Sequence, residues 1–412
     1  MATPKLQFKE FGGDWSKKRL DTFLERVSNP VNVVDTQNYV QIGIRSHGKG
    51  IFHKEPVTGE ELGNKRVFWV VPNALVVNIV FAWERAIAVT SDKENGLIAS
   101  HRFPMYLPKN GLSDVNFLRY LFITDKGQSY LELASPGGAG RNKTLGQSNF
   151  AELKIDLPSA EEQTKIAAFL SNVDKKISQL TQKYELLSQY KQGIMQKLFS
   201  QQLCFKADDG IEFGEWEILK ISDLVISLDA GVSVNSEDSK PIEDEYSVLK
   251  TSCISSGYFD KNERKRVLSA EEISRLKEPV LDNSILMSRM NTPALVGMNA
   301  YVKNAPKNTY LPDRLWQLKI NENRVFTRWL AFYLGSERGL SQIRELASGT
   351  SNSMKNITKS DVLNLELLVP TIAEQIKIAN FLSAIDQKIE VVTQQIEQAK
   401  TWKKGLLQQM FV

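Results

Sequence analysis

The sequence predicts an α+β fold in which two mixed α/β globules alternate with two long helices. Three observations predict it. Residues 157–200 match residues 369–412 without a gap, at a constant offset of 212, with 19 identical pairs among 44. Each copy spaces its apolar residues alternately three and four apart, the pattern of a helix-pair seam. Each stretch ahead of a copy mixes short strand-like runs with helix-periodic segments, which places strands and helices in the same globule. The predicted division is a first globule over 1–156, a first helix region over 157–203, a second globule over 204–368 and a second helix region over 369–412.

The helices are the most strongly patterned part. Identical pairs include Pro158/Pro370, Glu162/Glu374, Gln163/Gln375, Phe169/Phe381, Asp174/Asp386, Lys191/Lys403 and Phe199/Phe411. The seam of the first copy reads Ile166, Leu170, Val173, Ile177, Leu180, Tyr184 and Leu187. That of the second reads Ile378, Leu382, Ile385, Ile389, Val392 and Ile396. Lys191 and Lys403 interrupt the seam at the same place in both copies. Two explanations stand: a polar seam residue that fixes register or pairing, or a lysine stem snorkelling near a frayed end. Pro158 and Pro370 precede Ser159 and Thr371, which stand near the expected N-caps. About 40 helical residues would span on the order of 60 Å. The chain must reverse between the copies, so they are expected to form an antiparallel coiled-coil pair with a pseudo-two-fold internal repeat.

The globules repeat more faintly. Phe11-Gly12-Gly13-Asp14-Trp15 opens the first and Phe213-Gly214-Glu215-Trp216 the second. Leu133-Ala134-Ser135 recurs as Leu346-Ala347-Ser348, each followed by a small-residue turn that ends on Lys143 or Lys355. An alternating strand is then predicted through Ala151, Leu153 and Ile155, and through Leu363, Leu365 and Leu367. Helices are predicted over Val115–Leu121 and Thr327–Leu334. The most apolar stretch, Val67 to Trp83, is broken by Pro72, Asn73 and Asn78, so it reads as two buried strands and not a membrane span.

Charge is informative only in its distribution. The net charge is +4. Residues 1–156 carry 20 basic and 16 acidic side chains, and residues 246–368 carry 18 and 12. Each half thus has a modestly basic portion, compatible with a phosphate-facing surface or with ordinary solvated faces. Two distant cysteines, Cys204 and Cys253, and no signal-peptide core imply a cytoplasmic protein.

Catalytic signatures are missing. Gly43-Ile44-Arg45-Ser46-His47-Gly48-Lys49-Gly50 mimics a P-loop, but Gly50 stands where Ser or Thr should hold magnesium. The loop suits close approach to DNA better, since Arg45, His47 and Lys49 offer donors to phosphates or base edges; an ordinary surface turn is the bland alternative. There is no Asn/Asp-Pro-Pro-aromatic motif of an amino-methyltransferase. Pro312-Asp313 lacks the following Glu-x-Lys of a metal-dependent nuclease, and His47, His53 and His101 have no zinc spacing. No metal site and no cofactor of the chain's own are expected.

The pattern Pro-x-x-x-Glu-Gln-x-x-Ile-Ala-x-Phe-Leu-Ser-x-x-Asp, at Pro158–Asp174 and again at Pro370–Asp386, resembles the conserved regions of type I restriction-modification specificity subunits. The opening Gly-x-Trp segments resemble the start of that family's target-recognition domains. The resemblance implies that each globule reads one half of a bipartite, asymmetric DNA site, while the helices act as a spacer and dock two modification subunits. Those subunits would use S-adenosylmethionine, and restriction subunits would add ATP- and magnesium-dependent translocation and cleavage; this chain would be non-catalytic. A stand-alone DNA-binding regulator with a coiled-coil core is the alternative. By residue type and position, the candidate DNA contacts are Arg45, His47, Lys49, Arg141 and Lys143 in the first globule. In the second they are Arg264, Lys265, Arg266, Arg289 and Lys355.

If the helices act as a ruler, duplicating Leu180–Lys183 adds about 6 Å of helix. At about 3.4 Å per base pair, the spacer of the methylated motif should lengthen by about one or two base pairs while both half-sites stay the same. An unchanged spacer in the methylated-adenine map would show that something else sets the distance.

Overall fold

The computed structural model describes residues 3–137, 143–242, 244–348 and 354–411. The chain divides into two compact units, residues 1–182 with 393–412 and residues 183–392. Each unit is built from one globule, the first stretch of one long helix and the last stretch of the other. The long helices run Ala160–Phe199 and Ile372–Met410. In either unit they therefore meet start to end, as antiparallel helices do.

Each globule is organised round a four-stranded antiparallel sheet. In the first unit the spatial order is Leu24–Val27, Met105–Pro108, Leu75–Val77, Ile87–Val89. In the second it is Val225–Ala230, Leu315–Ile320, Ser284–Ser288, Asn299–Val302. Counted along the chain, both sheets place their strands first, fourth, second, third, so the internal repeat extends through the globules. The central strands Leu75–Val77 and Ser284–Ser288 are buried at every residue, which explains their unbroken small and apolar runs.

A second ribbon brings the two ends of each globule together. Ser16–Arg19 pairs antiparallel with Lys154–Leu157, and Glu217–Lys220 with Glu366–Val369. These closing strands are shorter than the alternation predicts. Ala151 falls in a short helix, Gln147–Glu152, and Leu363 in another, Lys359–Leu363. The amides of Leu153 and Leu365 bond back to the carbonyls of Phe150 and Val362, which tightens a turn before each strand begins.

Two helices follow the sheet in each globule: Val115–Phe122 and Asp125–Leu133 in the first, Thr327–Gly335 and Glu337–Glu345 in the second. They cross so closely that a Cβ on Gly127 would lie 2.1 Å from the Leu121 carbonyl oxygen, and one on Gly339 2.2 Å from that of Tyr333. Both glycines are required for the crossing.

The cores are completed by the end of the other repeat's helix. Phe411, at the end of the second long helix, packs against Trp15 and Phe117 in the first unit, with ring centroids 6.2 and 5.2 Å away. Phe199, at the end of the first, packs against Trp329 and Tyr333 in the second unit at 6.3 and 5.3 Å. Of the seam residues, Ile166, Leu170, Val173, Leu180, Ile378, Leu382, Ile385, Ile389, Val392 and Ile396 are buried, and Ile177 and Leu187 are half-buried. Tyr184 departs from the seam expectation and is 39% exposed, as its neighbours Leu186 and Tyr190 are more than half exposed. A phenol keeps its hydroxyl in water at little cost, and this stretch of the first helix has little covering it.

Cys204 is exposed and Cys253 buried, both as free thiols; burial pushes the Cys253 thiol up to about 12. Among the described residues no helix is long and apolar enough to cross a membrane, and no cluster of three or more His, Cys, Asp or Glu is placed to hold a metal ion.

Phe199→Ala should cost about 3–5 kcal/mol, read by urea unfolding, with the loss of amide protection concentrated in residues 204–368. Gly193→Ala is the opposite case: nothing lies within 4 Å of the added Cβ, and a helix interior gains up to about 1 kcal/mol from alanine. A neutral Phe199→Ala would contradict the closure of the second core by this side chain.

Candidate nucleic-acid interface

The repeated motif of the long helices serves to lock them to the globules. In the first unit the Trp15 indole N–H donates to Glu162 at 3.3 Å. In the second Trp216 donates to Glu374 at 3.1 Å. Gln163 accepts from the amide of Asp114, the N-cap of Val115–Phe122, at 3.0 Å, and donates to the Pro158 carbonyl at 2.9 Å. Gln375 makes the same pair of bonds, from the Phe326 amide at 2.7 Å and to the Pro370 carbonyl at 2.8 Å. Burial pushes the Glu374 carboxyl up, only partly offset by the Trp216 bond. Ser159 and Thr371 cap the helices by accepting from the amides of Glu162 and Glu374.

The two seam lysines form ion pairs with the motif's aspartates. Lys403 Nζ lies 2.5 Å from Asp174 in the first unit, and Lys191 Nζ lies 2.6 Å from Asp386 in the second. The Lys191 and Asp386 side chains are 13% and 16% exposed. Of the two explanations that the sequence leaves open, pairing holds and fraying does not. Tyr120 donates its hydroxyl to Asp174 at 2.7 Å, and Arg119 stands 3.4 Å from the same carboxylate. Burial pushes the Asp174 carboxyl up, but Lys403 and the Tyr120 hydroxyl outweigh it and hold it below the usual range.

The surface cations sit on equivalent hairpins. In the first unit Ile42–Ile44 pairs antiparallel with Ile51–His53. The P-loop-like segment is thus a hairpin, with strands on both sides where a P-loop requires a following helix. A Cβ on Gly43 would lie 2.3 Å from the Phe52 ring, so a larger residue there would displace that ring. The turn closes through the Arg45 amide to the Gly50 carbonyl at 3.0 Å. The His47 and Gly48 amides bond to the carbonyls of Glu84 and Arg85, which pins the turn to the short helical turn Ala82–Glu84. Arg45, His47 and Lys49 all stay exposed, with the Arg45 guanidinium 4.8 Å above the Phe52 ring. Lys143 lies 5.8 Å from the Trp83 ring of the same Ala82–Glu84 turn, so the structure brings it to the His47 loop. Arg141 lies outside the described residues.

Beside this hairpin is a groove of about 730 Å³ that includes Arg45, His53, Asn73, Lys93, Asn116 and Arg119 in its lining. Sequence reasoning missed the last four, which come from distant segments and share no local motif. His53 stands 3.0 Å from Glu94. Burial pushes the Glu94 carboxyl up, but bonds from Ser91 and His53 bring it below its ordinary value.

In the second unit Ser247–Leu249 pairs with Arg264–Arg266 in the same register, and Thr309–Tyr310 adds a parallel third strand. Arg264 donates to Thr309 at 3.2 Å. Arg266 grips Glu245 with two bonds of 2.7 and 2.5 Å, so its fork is occupied within the unit. Its guanidinium holds the Glu245 carboxyl below the usual range. Lys265 is half-buried between them on the strand. Lys355 lies on a separate ribbon, where Met290–Asn291 pairs with Lys355–Asn356, and Arg289 immediately precedes the other strand. The Arg289 Nε is buried without a hydrogen-bond partner. A pocket of about 250 Å³ beside Arg264 adds Lys261, Asn262 and Lys307, which the sequence reading did not single out as contacts.

Two units of one sheet order, each carrying cations on an equivalent hairpin and locked to shared helices, define a duplicated recognition protein. The profile of the type I restriction modification DNA specificity domain matches residues 76–189 and 214–401, once in each half, and the chain belongs to that family. It is similar to the MjaVIII type I restriction enzyme specificity subunit of Methanocaldococcus jannaschii, with 24% identity over 97% of this chain and 94% of that protein. It is 22% identical to the EcoKI specificity subunit of Escherichia coli over 69% of this chain and 61% of that protein. The type I restriction-modification S subunit from M. genitalium has a similar fold, with TM-score 0.61, 13% identity and coverage of 100% and 99% of the two chains. A chain solved to explain complex assembly and conformational transition of a type I restriction-modification system gives TM-score 0.55 at 16% identity over 96% and 97%. The chain is accordingly a specificity subunit, a recognition component and not a catalyst.

Lys191→Met should leave Asp386 without its cation and destabilise the second unit by about 2 kcal/mol, less than a fully buried pair because both groups keep some water. In the first unit the sign follows from the lowered Asp174 carboxyl. Its contribution is complete above the ordinary carboxylate pKa of about 3.9 and is lost as pH falls through the folded value. Asp174→Asn should therefore flatten the acid limb of stability against pH, measured by urea unfolding. An acid limb identical to wild type would contradict the pairing.

Proposed function

We propose that this chain reads a bipartite, asymmetric DNA site, one half by each unit, and presents the site to two modification subunits and to restriction subunits. The observation that carries this is the pair of equivalent hairpins. Their strands pair in the same register, yet they bear different donors: Arg45, His47 and Lys49 on one, and Arg264 and Lys265 on the other, where Glu245 holds the Arg266 fork. A shared scaffold with unlike reading edges suits two unlike half-sites. Arg141, Lys143, Arg289 and Lys355 are further contacts in this reading, with lysines for phosphates and arginine forks for guanine.

The modification subunits supply S-adenosylmethionine chemistry, and the restriction subunits supply ATP- and magnesium-dependent work; this chain binds none of these itself. It acts in the cytoplasm, where free thiols such as Cys204 and Cys253 persist. A stand-alone regulator is not favoured, because the chain's relatives are restriction-system specificity subunits.

Selection of the full-length chain, with its modification subunit, on a random duplex pool tests the reading. A two-part motif should emerge. Arg45→Ala with Lys49→Ala should relax one half and lower the salt slope of binding by about two. Arg264→Ala should relax the other half. No two-part motif, or both variants relaxing the same half, would refute the assignment.

A further inference from the structure

The two lysine–aspartate pairs are equivalent, but their aromatic covers are not. In the first unit the cover comes from the globule's own core helix: Lys403 lies 5.6 Å from the Tyr120 ring, and the Tyr120 hydroxyl binds Asp174. The position equivalent to Tyr120 in the second unit is Phe332, which keeps the ring, 5.1 Å from Lys191, but has no hydroxyl. Tyr258 supplies what is missing. Its hydroxyl donates to Asp386 at 3.1 Å and accepts from Lys191 at 3.2 Å, and its ring lies 5.1 Å from the same ammonium.

Tyr258 does not belong to a core helix. It sits in the connection between Ser247–Leu249 and Arg264–Arg266, the strands of the hairpin with the candidate reading residues. That connection comprises residues 250–263, fourteen in all, where the equivalent one in the first unit comprises residues 45–50, six in all. The first-unit turn is held by its short bonds to the Ala82–Glu84 segment. The longer second-unit connection reaches the long helices instead. Between Tyr258 and the strand, the connection is further shaped by the Asp260 amide bonding to the Cys253 carbonyl at 2.8 Å and the Lys250 amide to the Glu263 carbonyl at 2.9 Å. The tether thus passes to Arg264 through a bonded loop.

The geometry points to Tyr258 as a positioning residue for DNA reading by the second unit: its hydroxyl, held by Lys191 and Asp386, ties the connection that carries Arg264 and Lys265 to the long helices. The inference rests on the DNA-reading function proposed above. It implies an asymmetry. Disturbing the helix pair at the Lys191–Asp386 pair shifts the hairpin connection of the second unit directly, whereas the Lys403–Asp174 pair meets Arg119 and Tyr120 on a core helix of the first and not the turn of its hairpin.

Tyr258→Phe keeps the ring and deletes only the hydroxyl, with Tyr120→Phe as the matched variant in the first unit. Hydrogen exchange on the full-length free chain needs no DNA. Tyr258→Phe should speed exchange across residues 256–266, and Tyr120→Phe should leave the turn 45–50 unchanged. Duplex selection then reads function: Tyr258→Phe should reduce discrimination at the half-site that Arg264→Ala relaxes by about tenfold, the size of one hydrogen bond to a charged group, and leave the other half intact. Unchanged exchange at 256–266 would overturn the tether. Faster exchange with undiminished discrimination, or equal loss in both halves, would overturn the positioning role. If the wild-type chain selects no two-part motif, the DNA-reading function falls and takes the positioning role with it, while the exchange result still decides whether the tether exists.

Discussion

Each globule is closed by the end of a helix that starts in the other repeat, and the rest of the architecture depends on that exchange. Phe411 completes the core round Trp15 and Phe117, and Phe199 completes the core round Trp329 and Tyr333. Burying an aromatic ring of this size is worth roughly 2–3 kcal/mol, a substantial part of a domain's net stability. The polar bonds add direction to this apolar closure. Glu162 and Glu374 take an indole N–H, Gln163 and Gln375 hold the cap of the next helix, and Asp174 and Asp386 take the opposite helix's lysine. These are the residues that the two copies share. Many of the identities between the copies are thus contacts that both closures use.

This explains how much of the fold the sequence disclosed. The helices were legible because their contacts repeat every three or four residues and both copies keep one offset. The Lys191 and Lys403 interruptions were visible as interruptions, but their aspartate partners were not, since ion pairing across helices leaves no local pattern. The Tyr184 position fitted the seam by spacing and is open by environment. The equivalence of the two recognition hairpins was hidden for a different reason. Strand pairing is non-local, and the connections of six and fourteen residues break the offset. The alternation through Ala151 and Leu363 misled because a short helix and a strand can both place apolar side chains inward over so few residues.

The candidate site was legible only by residue type. Arg45, His47 and Lys49 stand near one another because they share one six-residue hairpin turn. Lys93, Asn116 and Arg119 join Arg45 in a groove through tertiary folding alone. Arg266 shows the limit of reading charge from sequence: its fork is taken by Glu245, so a run of three basic residues offers fewer free donors than it contains. Differences of this kind, laid on one sheet order, let the two units diverge in what they recognise while the closures stay constant.

That independence is the central claim, and one exchange of parts tests it most directly. Residues 1–156 are replaced by the corresponding globule of another family member, with residues 157–412 untouched, and methylated adenines are mapped by single-molecule sequencing in cells that supply the modification subunit. The account predicts a new sequence in one half of the methylated motif, with the other half retained. A motif changed in both halves, or in neither, would contradict it.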